Sequence, residues 1–254
     1  RIVVPKEDER YYTEKIAALP HTYQPNDDKK ILAASGTRAA AGLPDDAFVF
    51  CSFNNSNKIT PDIFGVWMRL LRAVENSVLW LIDDGAIAVR NLRREAEARG
   101  VAAERLIFAP RLPMPEHLAR HRLADVFLDT RPYNAHTTAS DALWAGLPVV
   151  TCTGATFAAR VATSLLHAVG LPELATATLA DYEALAINLA RDRDALATIR
   201  ERLARNRQTH PLFDTGRYCR HLETAFATMH ERRQRGEAPA SFDVAAEADF
   251  PAPM

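Results

Sequence analysis

The middle of the chain alternates short apolar runs with longer stretches in which apolar residues recur every three or four positions. The apolar runs are typical of strands buried on both faces, and the periodic stretches are typical of amphipathic helices. Strands are predicted at 47–53, 77–83, 105–110, 124–130 and 147–153. Helices are predicted at 60–74, 88–100, 114–123, 137–146 and 157–170. Alternation of this kind predicts an α/β fold, a Rossmann-like parallel sheet with flanking helices.

The regular pattern lies between a lead-in and a helical end. Residues 1–46 contain many turn formers and charges with little periodicity, so we expect a peripheral segment. Residues 47–213 are predicted to form the Rossmann-like lobe. Beyond it, residues 214–236 are predicted to form a C-terminal helix that packs back on the fold, and residues 237–254 a disordered tail. From 180 onward the pattern is helical, in two long segments at 180–206 and 216–236.

Composition narrows the function classes. Apolar residues make up 48% of the 254, and 31 basic residues nearly balance 32 acidic ones. No strongly basic surface for nucleic acid is expected, and no apolar run approaches the ~20 residues of a membrane span. The three scattered cysteines are typical of a reducing compartment, so a cytoplasmic location is expected. The chain begins with Arg1 rather than Met, and we expect it to be part of a longer protein.

Several common enzyme motifs are missing from the sequence. The dinucleotide fingerprint GxGxxG, the phosphate loop GxxxxGK[ST] and the hydrolase turn GxSxG are absent. No CxxC or HExxH spacing indicates a metal site, so neither a metal nor another cofactor is expected. The candidate chemistry therefore has to come from the loops at the strand ends.

Residues 134–138 join a predicted strand to a predicted helix. A helix N-terminus presents free N–H groups and a partial positive charge, and Thr137 and Thr138 add hydroxyl donors, which suits a diphosphate. The sequence is equally compatible with Thr137 serving only as a helix cap. Asp141 follows one helical turn later. It could accept hydrogen bonds from a ribose, or it could be an ordinary solvated acid.

Two further loops carry candidate ligand-binding residues. Asn55 and Lys58 follow the first strand of the sheet, at the edge where parallel sheets bind ligands. Lys58 could bind phosphate oxygens, although a surface lysine is more often simply solvated. His117 and Arg120 are three residues apart on a predicted helix, so they share one face and could stack on a base or bind phosphate. His121 is predicted to point elsewhere.

These stretches, in this order, resemble one family. FNNSNKITP, LPMPEHLARHRLADVFLDT and YNAHTTASDALWAGLPVVT are similar to the C-terminal catalytic lobe of the O-linked N-acetylglucosamine transferase family, which includes the SPINDLY-type proteins. FAARVATSLL and PLFDTGRYCRHLETAF also match, and YYTEKIAALPHTYQPND resembles the segment that precedes this lobe. The resemblance covers nearly the whole chain.

The resemblance implies a two-lobed glycosyltransferase fold (GT-B type), of which this chain is the C-terminal lobe and residues 1–46 the lead-in from the upstream lobe. It implies UDP-N-acetylglucosamine as the donor, protein Ser/Thr hydroxyls as acceptors, and no metal. An N-terminal catalytic lobe and tetratricopeptide repeats are expected upstream. Without that lobe the chain is expected to be inactive.

The resemblance also assigns roles within the UDP-sugar site. Lys58 would be the catalytic residue, contacting the diphosphate and favouring its departure, with Asn55 assisting nearby. His136, Thr137 and Thr138 would hold the phosphates. The other assigned residues would contact the remainder of the donor: Asp141 at the ribose, His117 and Arg120 at the uracil and phosphate side, and Leu112 within the same site.

Two residues depart from the family pattern. The animal enzymes carry glutamine where Asn55 stands and lysine where Met114 stands, and a methionine cannot supply a charged contact to the nucleotide.

Two alternatives to the N-acetylglucosamine function stay open. A SPINDLY-type lobe that uses GDP-fucose is one alternative, although those members have threonines throughout the phosphate turn and this chain has His136. A non-catalytic nucleotide-binding or scaffold lobe is the other.

Overall fold

A computed structural model describes residues 1–246 of the chain. Its strands are β1 (Ala17–Ala18), β2 (Phe48–Ser52), β3 (Ser77–Ile82), β4 (Leu106–Ala109), β5 (Val126–Leu128), β6 (Val149–Cys152), β7 (Ala175–Thr176) and β8 (Phe242–Asp243). Its α-helices are α1 (Pro61–Ala73), α2 (Ala86–Glu97), α3 (Met114–Arg120), α4 (Thr137–Ala145), α5 (Val161–Ala168), α6 (Leu179–Arg191), α7 (Arg193–Thr209) and α8 (Thr215–Gln234).

The central sheet of the described residues has six strands in the order β4-β3-β2-β5-β6-β7. All neighbouring strands are parallel, which confirms the predicted α/β class. Every residue of β2, β3, β5 and β6 is buried, as expected for strands covered by helices on both faces. Helix α1 packs against α6, and helix α4 packs against α3, α5 and α7.

Local sequence explains where the first helix begins. Thr60 is the N-cap of α1 and its hydroxyl accepts a hydrogen bond from the Ile63 N–H at 3.5 Å, with Pro61 in the first turn, as predicted. The buried face of α1 includes Trp67, whose indole N–H donates to the Tyr182 hydroxyl of α6 at 3.1 Å. The α1–α6 pair is therefore joined by a buried polar contact as well as by apolar packing.

The strand order places a ligand crevice at the centre of the sheet. From β2 the chain proceeds outward through β3 to β4, then crosses back to β5 and proceeds the other way through β6 to β7. β2 and β5 are direct neighbours, with Phe50 opposite Val126 and Cys51 opposite Phe127. Loops leaving the carboxyl ends of two such strands diverge to opposite sides, and ligands bind between them.

The elements after residue 170 differ from those predicted from the sequence. The predicted helix at 180–206 is two helices, because Asp192 caps α7 by accepting a hydrogen bond from Ala195 N–H at 2.9 Å. The short edge strand β7 was not predicted, since a two-residue strand carries almost no periodic signal.

The predicted disordered tail also differs over residues 237–246. Phe242 and Asp243 form β8, which pairs in parallel with β1. Val244 is buried and its N–H donates to the Ala18 carbonyl at 2.9 Å, so the segment is fixed by backbone pairing that no local pattern reveals. The remainder of that prediction, residues 247–254, lies outside the described residues. Within residues 1–246, no helix has both the length and the apolar character that crossing a bilayer requires.

Candidate functional site

Lys58 lies directly beside the loop that leads into α4. A single 3-10 turn, Ser56–Lys58, follows β2 and directs Lys58 across the crevice. The Lys58 Nζ donates a hydrogen bond to the carbonyl oxygen of Asn134 at 3.1 Å. Partial burial lowers the pKa of Lys58, while the nearby negative charge of Asp129 acts to raise it. Lys58 is therefore not the freely solvated surface lysine that the sequence left possible, and the two predicted loops meet.

Asp129 is a buried carboxylate at the end of β5, below this contact. One of its oxygens accepts from the Thr130 N–H at 2.7 Å and the Ala135 N–H at 2.6 Å, and the other accepts from the Thr151 hydroxyl at 2.6 Å. Burial raises the pKa of Asp129 to about 7, and the three hydrogen bonds and the charge of Lys58 oppose that shift. Asp129 was not among the residues predicted from the sequence. The signal was an acidic residue at the carboxyl end of an otherwise apolar strand.

The first turn of α4 is open at the crevice. α4 begins at Thr137 with His136 as its N-cap, and no described side chain caps it, so Thr137 does not serve as a helix cap. Thr137 is exposed and Thr138 partly exposed. A nine-residue helix with an uncapped N-terminus and two adjacent hydroxyls retains the donors that an anion requires.

An exposed aromatic ring lies between Lys58 and His136. The Tyr133 ring stacks on the His136 imidazole, with centroids 5.0 Å apart and planes 20° apart. Lys58 Nζ lies 4.3 Å from the centroid of the same ring. Burial lowers the pKa of His136, the contact with the Ala158 carbonyl opposes that shift, and the charge of Lys58 adds to it. Tyr133 is a second residue that sequence analysis missed.

Asp141 is not the solvated acid that the sequence left possible. It is 4% exposed, and its Oδ1 lies 2.6 Å from the Nζ of Lys30. The Lys30 backbone is held in place because its carbonyl accepts from the Trp144 indole N–H at 3.1 Å. Lys30 comes from the lead-in segment, where no periodicity indicated a site residue.

His117 and Arg120 share one face of α3, as predicted, and their side chains are in contact through Nδ1 and Nη2. The Arg120 guanidinium also donates to the Pro110 carbonyl at 2.6 Å and lies 4.5 Å from the Phe53 ring centroid. Burial, with Arg120 and Arg111 nearby, lowers the pKa of His117 to about 4. Burial lowers the pKa of Arg120 to about 10. At neutral pH the pair is thus a neutral imidazole beside a guanidinium.

The prediction that His121 points elsewhere is wrong. Its buried ring packs edge-on against His117 at 4.9 Å and against Phe53 at 5.1 Å. The reason is spacing, because residues four apart on a helix lie on the same side. His121 therefore supports the His117 ring from behind.

Asn55 and Leu112 lie at the rim of the crevice. The Asn55 side-chain oxygen accepts a long hydrogen bond of 3.4 Å from Arg111, whose guanidinium is held by Asp84 at 2.7 Å. Leu112 is 42% exposed in the loop between β4 and α3, and no polar contact joins it to the other site residues of the described chain. Arg111 is a cation that sequence analysis missed, although it directly precedes Leu112.

The charge at this edge of the sheet comes from side chains and backbone. Lys58, Arg120 and Arg111 contribute cations, and α4 contributes its N-terminus. Within residues 1–246, no group of three or more His, Cys, Asp or Glu residues is placed to hold a metal ion. The three cations and the N-terminus of α4 supply positive charge and hydrogen-bond donors that suit an anion.

The model of glycosyl transferase family 41 matches residues 28–222, which include every candidate site residue. The chain belongs to glycosyl transferase family 41. Curated members of the family are similar over most of this chain. The probable UDP-N-acetylglucosamine–peptide N-acetylglucosaminyltransferase SEC of Arabidopsis thaliana is 38% identical over 249 residues, covering 95% of this chain and 26% of the relative.

Two other curated relatives have comparable sequence identity over most of this chain. The UDP-N-acetylglucosamine–peptide N-acetylglucosaminyltransferase of Caenorhabditis elegans is 40% identical over 200 residues, covering 79% of this chain and 17% of the relative. The probable UDP-N-acetylglucosamine–peptide N-acetylglucosaminyltransferase SPINDLY of Hordeum vulgare is 32% identical over 237 residues. The match covers 90% of this chain and 24% of the relative. The chain thus spans about a quarter or less of the length of these relatives.

One solved structure is similar in both sequence and fold, and a second is similar in fold alone. A mutant of the Thermobaculum terrenum O-GlcNAc transferase is 34% identical, with a TM-score of 0.84 over 93% of this chain and 45% of that protein. Anabaena Alr3699/HepE, solved with UDP and glucose, has a TM-score of 0.57 at 18% identity and covers 84% of this chain and 56% of its own. The latter shares the fold alone, which is that of a GT-B glycosyltransferase lobe.

Proposed function

We propose that this chain is the donor-binding lobe of a protein O-glycosyltransferase, and that it binds UDP-N-acetylglucosamine for transfer to Ser/Thr hydroxyls. The observation that carries the proposal is the convergence of Lys58 and the open start of α4 on one point of the crevice. Family membership supplies the reaction class, and the names of the relatives supply the donor and acceptor.

The chemistry explains why these two groups belong together. An acceptor hydroxyl oxygen forms a bond to the anomeric carbon while the bond from that carbon to the diphosphate oxygen breaks, and UDP leaves with the electron pair. Negative charge grows on the diphosphate during this step. The Lys58 ammonium and the N–H groups of α4 are fixed in advance at that position, so they stabilise the transition state without reorganisation or a metal ion.

The remaining site residues bind the nucleotide in this proposal. Thr137 and Thr138 donate to phosphate oxygens beside the N-terminus of α4, and Asp141 accepts from the ribose while it stays paired with Lys30. The neutral His117 ring and the Arg120 guanidinium lie toward the base. Asn55 and Leu112 lie at the rim, where they limit the space around the donor.

The relatives do not favour the GDP-fucose alternative. The two at 38% and 40% identity are named as transferases that use UDP-N-acetylglucosamine, and the SPINDLY relative at 32% carries the same activity in its name. The scaffold alternative predicts nucleotide binding with no catalytic consequence of losing Lys58, and that difference can be measured.

The rest of the enzyme belongs to the same proposal. The relatives are several times longer than this chain, which leaves room for an upstream catalytic lobe and tetratricopeptide repeats. We expect the isolated chain to bind nucleotide and to transfer little sugar, because a cleft needs both walls. A cytoplasmic location is included in the proposal and is supported by the three unpaired cysteines.

Calorimetry with four ligands tests this function. UDP and UDP-N-acetylglucosamine should bind to the chain in the micromolar range, GDP and GDP-fucose should bind more weakly, and a chelator should change nothing. A preference for the guanosine ligands would replace the donor assignment with the fucose alternative. Binding that requires Mg²⁺ or Mn²⁺ would overturn the metal-free account.

A further inference from the structure

The peptide bond between Asn134 and Ala135 is bound at both of its polar ends. Its carbonyl oxygen accepts from Lys58 Nζ at 3.1 Å, and its N–H donates to Asp129 Oδ1 at 2.6 Å. The ammonium and the buried carboxylate thus contact opposite ends of one peptide group. That peptide lies immediately before His136 and the first turn of α4.

Asp129 is itself fixed by contacts to the interior. Its other oxygen accepts from the Thr151 hydroxyl of β6, and its backbone carbonyl accepts from the Tyr182 hydroxyl at 3.1 Å. The Tyr182 hydroxyl in turn accepts from the Trp67 indole. Asp129 is 1% exposed, so it lies beneath the crevice and cannot touch a ligand there.

The loop from Thr130 to Ala135 closes on this carboxylate. Oδ1 accepts from the N–H at each end of the loop, and the Asn134 side chain spans it by donating to the Thr130 carbonyl at 3.0 Å. A buried carboxylate is costly unless its oxygens are hydrogen-bonded, and here each oxygen has a donor. The Asp129 carboxylate therefore binds the backbone of the 130–135 loop rather than solvent.

We propose that Asp129 is a positioning residue for the donor site, and that its carboxylate acts through the Asn134–Ala135 peptide to fix Lys58 beside the loop that leads into α4 and to keep Lys58 charged. The catalytic consequence rests on the function proposed above. The structural relationship does not depend on that function. A partly buried lysine with no opposite charge nearby tends to lose its proton, and Asp129 counteracts that loss.

The groups around this pair allow its titration to be observed separately. Lys58 faces Asp129, the Tyr133 ring and His136, while Asp129 faces Lys58, Cys152 and Tyr182. The pKa of Asp129 is raised to about 7, that of His136 is lowered, and those of Cys152 and Tyr182 are raised. Between pH 6.5 and 8, Asp129 is the member of this group expected to change charge.

NMR of lysine side chains labelled at Cε tests the proposal on the chain as it exists, without nucleotide. The Lys58 signal, assigned by its loss in Lys58→Arg, should show an inflection near pH 7 as Asp129 titrates, followed by its own titration at higher pH. In Asp129→Asn the first inflection should vanish and the Lys58 pKa should fall by at least about one unit, the size of effect that a nearby opposite charge typically has. The asparagine oxygen can still accept from the Thr130 and Ala135 N–H groups, and its NH₂ can donate to the Thr151 hydroxyl, so the contacts are kept with one of them reversed and the charge is removed.

Asp125→Asn is the matched control. Asp125 is also a buried aspartate, and it directly precedes β5 whereas Asp129 directly follows it. The Asp125 carboxylate accepts from Arg38 and from the Val49 N–H, at the end of the strand away from Lys58. It should leave the Lys58 titration unchanged. An identical Lys58 titration in the parent and in Asp129→Asn would overturn the proposal. If the variant does not fold, a parent Lys58 signal without an inflection near pH 7 would overturn it equally.

A kinetic arm separates this inference from the proposed function. In the intact two-lobed enzyme, Asp129→Asn should shift the alkaline limb of the kcat profile to lower pH, because Lys58 loses its proton earlier. A parent chain that binds no UDP would overturn the proposed function and leave the NMR result standing. Normal UDP binding with an unshifted kcat profile in Asp129→Asn would overturn the inference alone.

Discussion

Lys30 and Asp141 form an ion pair, with Nζ and Oδ1 2.6 Å apart and both side chains largely buried. The pair joins the N-terminal segment to the helix whose first turn faces the proposed diphosphate. Lys30, which lies 111 positions earlier in the chain, therefore fixes the orientation of the Asp141 side chain. The lead-in segment thus contacts a candidate site residue directly.

Replacing Lys30 should destabilise the fold. Lys30→Met leaves the buried Asp141 carboxylate without its partner, and removing one member of a buried pair typically costs about 3 kcal/mol or more. Urea unfolding should show that loss. Lys29→Met is the control, because Lys29 is exposed and should change the free energy of unfolding by less than about 0.5 kcal/mol. Equal stability of the two variants would show that Asp141 does not depend on Lys30.

The pH dependence of stability should report on Asp129. Its pKa in the folded chain is about 7, above the ordinary value of 3.8, so the folded state holds a proton that the unfolded state has released between those values. A carboxyl group whose pKa is raised by folding lowers the free energy of unfolding as the pH rises from its ordinary pKa to its folded-state pKa. The free energy of unfolding of the parent, minus that of Asp129→Asn, should therefore fall between pH 4 and pH 7. Urea denaturation at several pH values measures it, and a difference that stays constant would contradict the buried-acid account.

Arg111 should contribute to nucleotide affinity. Its guanidinium is held by Asp84 beside Asn55, its side chain is 68% exposed, and its charge helps to lower the pKa of His117. Arg111→Ala should weaken UDP binding about tenfold, the value of a hydrogen bond to a charged group, and should reduce the salt dependence of that binding. Arg94→Ala, an equally exposed cation on α2, is the control. Met114→Lys should restore part of the affinity in the Arg111→Ala background. Unaltered affinity in Arg111→Ala would place Arg111 outside the site.

Sequence patterns predicted the parts of this protein that depend on neighbouring residues. The alternation of apolar runs and periodic stretches is imposed by burial of β2, β3, β5 and β6, so the parallel sheet could be predicted, and the loops of Lys58 and Thr137 followed from the sheet edge. The His117–Arg120 pair followed from helical spacing alone.

The missed features depend on contacts between distant parts of the chain. Lys30 lies in a segment without periodicity and meets Asp141 only in the folded chain. The β1–β8 pairing joins residues more than 200 positions apart. The role of Asp129 depends on the backbone N–H groups of a loop, which leave no trace in side-chain pattern. Local sequence patterns do not reveal contacts between residues that are far apart in the chain.

The kcat of Lys58→Met in the intact two-lobed enzyme tests the central claim most directly. Charge grows on the diphosphate as the glycosidic bond breaks, so Lys58 should matter more to the transition state than to ground-state binding. Removing one preorganised donor typically costs on the order of 10²–10³ in turnover. UDP affinity should fall far less, because the N-terminus of α4 still binds the phosphates. Lys58→Arg should restore turnover only in part, since a planar guanidinium does not reproduce a compact ammonium.

The comparison requires a Lys58→Met protein whose thermal melt matches the parent, with Lys29→Met as a charge-matched control that keeps full turnover. The account predicts a fall in kcat of at least about 10²-fold for Lys58→Met with UDP binding largely retained. Near-normal kcat in the folded Lys58→Met enzyme would contradict it and would show that the contact between Lys58 and Asn134 is structural.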